Sequence, residues 1–426
     1  MTSFRITGRA PLEGTVEASG SKNAALPVLA AAILAEGPVR LERVPEVGDV
    51  ATLIEVLSEL GLRIERAGDA VNIETIDPHP VRARYELVRR MRASFCVLGP
   101  LLARRGKAMV SLPGGCNIGP RPIDLHLKGL SELGAKVEIE EGYVVARADR
   151  LFGAVIDLSG PRGPTVTGTA NVLSAAVLAR GTTVIENAAT EPEIVDLGQF
   201  LRALGARIEG LGTSTIYVVG AEELGGATYR VAADRIEAGT LLLAAAITGG
   251  RATVTGIVPD QLRAVLLKLR DAGFTIQGSK DRVTVMSHGR PRAVDVTALP
   301  YPGIPTDLQA QWMALLALAD GQSVVRDRVF PGRFAHVDEL KRLGAQIELR
   351  NSTATVTGVE RLTGAHVAAS DLRASAALVL AGLAAEGRTV VHHIEHLDRG
   401  YQQLDEKLAQ LGAKIERVAL SKYHGV

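Results

Sequence analysis

Six copies of one amphipathic segment recur along this chain, and this internal repeat limits the possible folds more than any other feature. Each copy reads as a helix that ends in a glycine and continues into a β-branched run, at Gly61, Gly134, Gly205, Gly273, Gly344 and Gly412. The glycines are separated by 73, 71, 68, 71 and 68 residues. Glycine fits the left-handed turn that ends a helix before the chain enters a sheet. The 426 residues are therefore predicted to form six similar αβ repeats.

A second series of glycines runs in step with the first and ends six Ala- and Leu-rich segments, at Gly37, Gly106, Gly181, Gly250, Gly321 and Gly387. Ala24–Ala35, Leu241–Ile247 and Ala374–Ala385 are apolar on almost every face, which is typical of fully buried helices. The helices that end at the first series of glycines keep one polar face and are predicted to lie on the surface. Each repeat should therefore run strand, buried helix, strand, loop, surface helix, strand. Chance similarity of αβ units is the alternative, and two glycine series in step argue against it.

Six repeats of this size exceed one core, so two groups of three are expected, with residues 220–235 as the best hinge candidate. Lys and Arg number 48 against 47 Asp and Glu, so no global field attracts nucleic acid or a membrane surface. The apolar runs are shorter than the roughly 18 residues of a membrane span. The first residues do not resemble a signal peptide, and two cysteines cannot form a disulfide framework. A cytoplasmic protein is expected.

The starts of the predicted buried helices carry polar and charged residues, among them Lys22, Arg92, Thr165, Asp307, Asp371 and Arg373. Capping explains Ser, Thr and Asp at such places. It does not explain Lys22, Arg92 and Arg373, because a cation opposes the positive end of the helix dipole. An anionic ligand such as phosphate is the favoured interpretation, and structural ion pairs are the alternative.

The loop at residues 111–126 is rich in Gly and Pro and contains Cys116 and Arg121. The arginine is expected to favour the thiolate, so a reactive Cys116 is preferred over a packed thiol, whereas Cys96 is predicted to be core. Arg333 and Arg399 precede the last two surface helices. These residues together indicate a basic cleft with a few carboxylates and one thiol.

Motifs for other chemistries are absent: the sequence contains no GxxxxGK[ST], GxGxxG, GxSxG, HExxH or CxxC. Their absence argues against NTP hydrolysis, dinucleotide redox chemistry, serine hydrolysis and zinc proteolysis. His392 and His393 are adjacent on a predicted strand and point to opposite faces, so a metal ion shared with His396 is not expected. No cofactor is predicted.

Seven segments, in this order, resemble the UDP-N-acetylglucosamine 1-carboxyvinyltransferase family of enolpyruvyl transferases: GSKNAALP, MRAS, SLPGGCNIGPRPIDLHL, ENAATEPEIVDL, PTDLQAQ, SDLRASAALVLAG and HLDRGYQQLDEKL. The resemblance covers essentially the whole chain, and the cysteine loop and PTDLQAQ are its most specific parts. It implies an α/β (α+β) fold of two inside-out α/β barrels, each built from three repeated strand-helix units. It also implies domains at 22–230 and at 1–21 plus 231–426, with the active site in the cleft between them.

The resemblance further implies a role for individual residues and two small-molecule substrates, phosphoenolpyruvate and UDP-N-acetylglucosamine. Phosphoenolpyruvate would be bound by Lys22, Asn23, Arg92, Arg121 and Arg399. The sugar nucleotide would be contacted by Asn23, Arg92, Arg121, Pro122, Ile123, Asp124, Leu125, Thr165, Val166, Asp307 and Val329. Asp307 would be the general base on the sugar 3-hydroxyl, and Cys116 would be the general acid or carry a covalent adduct. Arg333, Asp371 and Arg373 would help to hold a closed state.

Three alternatives remain open on the sequence alone. The sister enzymes that transfer enolpyruvyl to shikimate 3-phosphate share the expected fold and reaction, but resemble this chain less in the cysteine loop. A ring-shaped DNA clamp also has six repeats, although clamps line their hole with basic helices. An inactive paralogue is the third, and the intact set of Lys22, Cys116, Asp307 and Arg399 argues against it. The chain departs from the family pattern at Gly48, where lysine is usual, at Ala170 in a longer GPRGPTVTGTANV segment, where glutamate is common, and in FPGRF, which replaces an acidic-Asn pair before the arginine.

Overall fold

The computed structural model describes residues 2–113 and 122–419, and these residues form two compact units. The first, here the N lobe, comprises the described residues within Gly20–Cys116 and Pro120–Ala232. The second, the C lobe, comprises the described residues within Met1–Ser19 and Ala233–Val426. Among the helices of these residues, none combines the length and the apolar character that a membrane crossing requires.

The N lobe consists of strands, α-helices and two short 3-10 helices. Its strands are Val39–Glu42, Leu62–Ala67, Ala70–Thr75, Arg82–Ala83, Lys107–Ser111, Lys136–Glu140, Tyr143–Arg147, Val155–Asp157, Thr182–Glu186, Arg207–Glu209, Thr215–Val219 and Ala227–Arg230. Its α-helices are Lys22–Ala31, Gly48–Glu59, Tyr85–Val88, Leu98–Arg105, Asp124–Glu132, Val166–Ala176 and Pro192–Ala203. The 3-10 helices are Ala32–Leu34 and Arg92–Val97.

The C lobe is built from the same kinds of element. Its strands are Thr2–Thr7, Glu13–Glu17, Arg251–Thr255, Thr275–Ser279, Arg282–Met286, Val296–Ala298, Gln322–Asp327, Gln346–Arg350, Thr353–Thr357, His366–Ala368, Arg388–His392 and Lys414–Ala419. Its α-helices are Arg235–Ile247, Arg263–Asp271, Gln309–Leu316, Val337–Arg342, Leu372–Ala384 and Leu404–Gln410. Its 3-10 helices are Pro259–Leu262, Thr306–Leu308 and Ile394–Arg399.

The described residues contain six four-stranded sheets, as many as there are repeats. In the third repeat, Val155–Asp157 pairs in parallel with Thr182–Glu186, across the buried helix that connects them. Thr215–Val219 then pairs antiparallel with Thr182–Glu186 on one side and with Arg207–Glu209 on the other. The sequence prediction of three strands per repeat missed this hairpin strand, because the clear glycine signal ends one strand earlier.

The six sheets are not filled in simple chain order. Glu13–Glu17 precedes the first buried helix but pairs in parallel with Arg251–Thr255, in the sheet of the fourth repeat. Ala227–Arg230 takes the corresponding place beside Val39–Glu42 in the first sheet. Thr2–Thr7 lies between Arg388–His392 and Lys414–Ala419 and completes the sixth sheet. The N-terminal segment therefore supplies strands to two C-lobe sheets, which a linear reading of six repeats does not predict.

The predicted buried helices are confirmed as the centre of each lobe. Every residue of Ala24–Ala35 is buried, and so is every residue of Arg235–Ile247. In the C lobe, Arg235–Ile247, Gln309–Leu316 and Leu372–Ala384 pack against one another. The predicted surface helices bury one face, with the exception of Pro192–Ala203, in which eight of 12 residues are buried. This helix packs against both Lys22–Ala31 and Val166–Ala176.

The first glycine series adopts the expected backbone: its six members have φ between 83° and 112°. The second series departs from this regularity at Gly37 and Gly250, which do not have positive φ. In the fourth repeat Gly249 makes the left-handed turn, with φ of 76°. Gly250 is required for a different reason, because a Cβ there would lie 2.1 Å from the carbonyl oxygen of Leu12.

Gly20, the first residue of the N lobe, leads to a stability prediction. A Cβ at this position would lie 1.7 Å from the carbonyl oxygen of Arg43, which is backbone and cannot move aside cheaply. Gly20→Ala is expected to lower the free energy of unfolding by about 3 kcal/mol. Gly278→Ala is the matched control, because its nearest atom, Cβ of Pro259, is 4.0 Å from the added Cβ. Urea denaturation followed by circular dichroism measures both, and equal midpoints for the two variants would contradict the close contact.

Candidate active site

The sequence-predicted N-lobe residues lie at the N-terminal ends of four helical segments. Lys22 and Asn23 begin the helix Lys22–Ala31, and Arg92 begins the 3-10 helix Arg92–Val97. Pro122 and Ile123 precede the helix that starts with Asp124 and Leu125, and Thr165 caps the helix that starts at Val166. The predicted helix starts are therefore confirmed. Free N–H groups and the helix dipole make such ends favourable for anions.

Lys22 is nearly buried, with a residue exposure of 9%. Its Nζ lies 3.1 Å from Oδ2 of Asp49, whose side chain is 6% exposed. Asp49 stands in the first turn of Gly48–Glu59, where a carboxylate is favoured by the dipole of its own helix. The ion-pair alternative thus describes Lys22 in this structure, and the pair fixes the ammonium group at the start of its helix.

Arg92 and Pro122 are brought together, because Nη2 of Arg92 donates to the carbonyl oxygen of Pro122 at 3.4 Å. His126 in the following helix is 2% exposed. Its burial lowers the pKa of the imidazole to about 3. Nδ2 of Asn171 donates to its Nδ1 at 2.9 Å. The neutral ring therefore carries its proton on Nε2 and donates to the hydroxyl of Thr167 at 3.1 Å. This buried network joins the helix starts at Asp124 and Val166.

The predicted C-lobe residues converge on the Asp307 carboxylate. Nη1 of Arg333 lies 2.8 Å from its Oδ1, and Nη2 of Arg373 lies 2.8 Å from its Oδ2. The two arginine side chains are 8% and 1% exposed, whereas the Asp307 side chain is 22% exposed. Burial opposes the charge of Arg373, but Asp307, Tyr401 and Asp234 together outweigh this effect and raise the pKa of the guanidinium. Asp307 is thus an oriented, partly exposed carboxylate that is flanked by two cations.

The remaining C-lobe candidates have defined local roles. The Asp371 carboxylate caps Leu372–Ala384 by accepting from the backbone N–H groups of Arg373 and Ala374. Val329 donates its N–H to Asp327 at 2.9 Å. Arg399 ends the 3-10 helix Ile394–Arg399. Asp371 therefore fixes the segment that carries Arg373.

Of the two cysteines, Cys96 lies in the described part of the chain. Cys96 is 4% exposed, and burial raises the pKa of its thiol to about 12. Its prediction as a core residue is confirmed. Cys116 and Arg121 lie outside the described residues. Within residues 2–113 and 122–419, no group of three or more His, Cys, Asp or Glu is arranged to hold a metal ion.

Sequence reasoning missed the partners that hold the predicted residues. Asp49 in the N lobe is one, and Gln311 and Tyr401 in the C lobe are two more. The signal for Gln311 was present, since a polar residue inside an apolar helix must find a buried partner. Asp49 carried no such signal, because an Asp in the first turn of a surface helix is ordinary.

The class of protein follows from the sheets and from the helix starts. The fold is similar to that of solved structures of enolpyruvyl transferases. The enolpyruvyl transferase NikO from Streptomyces tendae matches with a TM-score of 0.87 and 28% identity over 99% of both chains. The EPSP synthase from Acinetobacter baumannii matches with a TM-score of 0.75 and 19% identity over 98% of this chain and 100% of that one, which shows the shared fold. The predicted two-domain α/β fold of repeated strand-helix units is confirmed.

The chain belongs to the carboxyvinyltransferase family of enolpyruvyl transferases. The family model described as EPSP synthase (3-phosphoshikimate 1-carboxyvinyltransferase) matches residues 6–408. The UDP-N-acetylglucosamine 1-carboxyvinyltransferase of Halorhodospira halophila is 51% identical over 98% of this chain and 100% of its own length. UDP-N-acetylglucosamine 1-carboxyvinyltransferase 2 of Carboxydothermus hydrogenoformans is 52% identical over 98% of this chain and 100% of its own length. UDP-N-acetylglucosamine 1-carboxyvinyltransferase of Escherichia coli is 52% identical over 98% of this chain and 99% of its own length.

Proposed function

We propose that this chain transfers the enolpyruvyl group of phosphoenolpyruvate to the 3-hydroxyl of UDP-N-acetylglucosamine and releases phosphate. The observation that carries the proposal is the identity of 51–52% with proteins of that activity name along nearly the whole chain. The reaction is the first committed step of peptidoglycan synthesis. It therefore serves cell-wall biogenesis, cell shape and division, and we assign it to the cytoplasm.

The reaction requires proton transfers and the stabilisation of negative charge, and the proposal assigns residues of this chain to both tasks. The sugar 3-hydroxyl adds to C2 of the enol while C3 takes a proton, which gives a tetrahedral ketal. Loss of the proton from C3 and cleavage of the C2–O bond to phosphate then give the enolpyruvyl ether. A carboxylate base and an acid supply the proton transfers, and cations stabilise the phosphate and carboxylate charges. No metal ion and no cofactor are needed for these steps.

The proposal assigns phosphoenolpyruvate to the cationic residues of the family pattern, which are Lys22, Arg92, Arg121 and Arg399, together with Asn23. Support comes from the Lys22 ammonium group at the start of a buried helix, because its Nζ lies 3.1 Å from Oδ2 of Asp49. A cation held in place costs less entropy when it binds an anion than a mobile surface lysine does. Pro122, Ile123, Asp124, Leu125, Thr165 and Val166 contact the sugar nucleotide, as does Val329.

Asp307 is the general base in the proposal and receives the proton of the 3-hydroxyl. Support comes from its two oriented Asp–Arg pairs and from the partial exposure of its side chain. A carboxylate that is already fixed needs no reorganisation when the hydroxyl reaches it. Arg333 and Arg373 hold the Asp307 carboxylate, and Asp371 caps the helix that carries Arg373. Cys116 is assigned separately, either to protonate C3 or to form an adduct with phosphoenolpyruvate.

Phosphate release is the direct test of this function. The purified chain is expected to release phosphate from phosphoenolpyruvate only when UDP-N-acetylglucosamine is present, because attack by the 3-hydroxyl precedes loss of phosphate. A coupled phosphate assay with and without the sugar nucleotide measures it, and mass spectrometry identifies the enolpyruvyl ether. Phosphoenolpyruvate alone is the control for simple hydrolysis.

Shikimate 3-phosphate is the acceptor of the second candidate function, which the description of the matching family model favours. The same assay with this acceptor separates the two. Release with shikimate 3-phosphate and none with UDP-N-acetylglucosamine would overturn the proposed function.

A further inference from the structure

Arg373 is a fully buried arginine with few hydrogen bonds. Its residue exposure is 1%, and its Nη2 donates to Asp307. Its Nε and Nη1 have no hydrogen-bond partner among residues 2–113 and 122–419. A guanidinium held through one nitrogen can turn about that contact, so a second contact must set the plane of the group.

That second contact is the ring of Tyr401. The guanidinium carbon of Arg373 lies 5.0 Å from the ring centroid, within the range of a cation–π interaction. Tyr401 is 1% exposed, so the contact is fully desolvated. The ring face and the Asp307 carboxylate therefore hold the guanidinium from two directions.

The hydroxyl of Tyr401 fixes the ring in turn. The Thr240 hydroxyl donates to the carbonyl oxygen of Ile236 at 2.8 Å, so its oxygen accepts from the Tyr401 hydroxyl at 2.9 Å. Nε2 of Gln311 donates to the Tyr401 hydroxyl at 3.0 Å and to the backbone carbonyl of Asp307 at 3.0 Å. Tyr401 is thereby connected to both ends of Asp307, to the carboxylate through Arg373 and to the backbone through Gln311.

We propose that Tyr401 is a positioning residue for the Asp307 carboxylate, acting through the ring contact with Arg373. The inference rests on the proposed function, in which Asp307 takes the proton of the acceptor hydroxyl. Tyr401 itself touches no reacting atom in this scheme. Its loss therefore affects the rate of the chemical step rather than the binding of the sugar nucleotide.

Two substitutions separate the ring from the hydroxyl. Tyr401→Leu removes the ring and is expected to lower kcat roughly 10- to 100-fold. Tyr401→Phe keeps the ring under Arg373 but loses the hydroxyl contacts with Thr240 and Gln311, so it is expected to lower kcat by a smaller factor than Tyr401→Leu does. For both variants, calorimetry is expected to give a Kd for UDP-N-acetylglucosamine within about twofold of the parent chain.

Phe4→Leu is the matched control in the same lobe. Phe4 is fully buried, and the guanidinium carbon of Arg417 also lies 5.0 Å from its ring centroid. Arg417 keeps its orientation without the ring, because it is hydrogen-bonded to both Asp398 and Asp405. This variant loses the same kind of core volume and is expected to keep kcat within about threefold.

The outcomes are distinct. Equal losses of kcat in Tyr401→Leu and Phe4→Leu, or a weaker Kd that accounts for the loss in Tyr401→Leu, would overturn the positioning role. A crystal structure of Tyr401→Leu gives a readout without substrate, and Arg373 in an unchanged position would also overturn it. Absence of turnover in the parent chain would instead contradict the proposed function, and the crystal structure would still decide the role of Tyr401.

Discussion

Replacing Asp307 by alanine is expected to lower kcat about 10³-fold while the Kd for UDP-N-acetylglucosamine changes by less than about threefold. The reason is that the carboxylate takes a proton only in the transition state, whereas many other groups bind the sugar nucleotide. The rate is measured by phosphate release, and the affinity by calorimetry. Loss of binding with loss of turnover would reassign Asp307 to substrate recognition.

Asp307→Asn is the necessary companion, because alanine also disturbs the arginines. Arg333 and Arg373 both lose their carboxylate partner in Asp307→Ala, and breaking a buried ion pair costs about 3–5 kcal/mol. The asparagine variant keeps the shape of the side chain and one oxygen acceptor, but it is not a base. Equal kcat losses in folded samples of both variants are expected. Near-normal turnover in Asp307→Asn would show that the charge at this position is not used as a base.

The architecture was predictable from the sequence to the extent that it depends on local signals. Gly61, Gly134 and their four counterparts end helices in the left-handed region, as their spacing indicated. The apolar run Ala24–Ala35 is buried throughout, as its composition indicated. Strand pairing is a different matter, because it is decided between distant segments. Nothing local to Glu13–Glu17 reveals that it pairs with Arg251–Thr255, more than 200 residues away along the chain.

The candidate site, too, was predictable from local signals and not in the contacts between distant residues. Lys22 and Arg373 were identified because a cation at the start of an apolar helix opposes the helix dipole, whereas the role of Asp307 was implied by the family resemblance. Their partners were not identified, since Asp49 and Tyr401 are ordinary residues in their own segments and become informative only through their contacts. The structure also shows what charge counting could not. Lys22 and Arg373 are each paired with a carboxylate of the same lobe, so the excess of cations is smaller than the sequence indicated.

Cys116 is expected to form a covalent adduct with the epoxide fosfomycin, and UDP-N-acetylglucosamine is expected to accelerate the reaction. The family resemblance and the presence of Arg121 in the same loop motivate this prediction, and Cys116 and Arg121 both lie outside the described part of the chain. The thiolate is the nucleophile that opens an epoxide, so an arginine that favours it increases the rate. Peptide mass spectrometry locates the adduct, and loss of phosphate release in step with labelling connects it to turnover.

Cys96 provides an internal control for this experiment. Burial raises the pKa of its thiol to about 12, so only about one part in 10⁵ is thiolate at pH 7. The residue is also only 4% exposed, so the reagent has little access to it. Labelling should therefore occur at Cys116 and not at Cys96, and a Cys116→Ala chain should resist the reagent entirely. An adduct at Cys96 would indicate unfolding rather than a reactive site. A folded, active chain that carries no adduct at Cys116 would contradict the assignment of this thiol to the chemistry, and the proton for C3 would then have to come from another group.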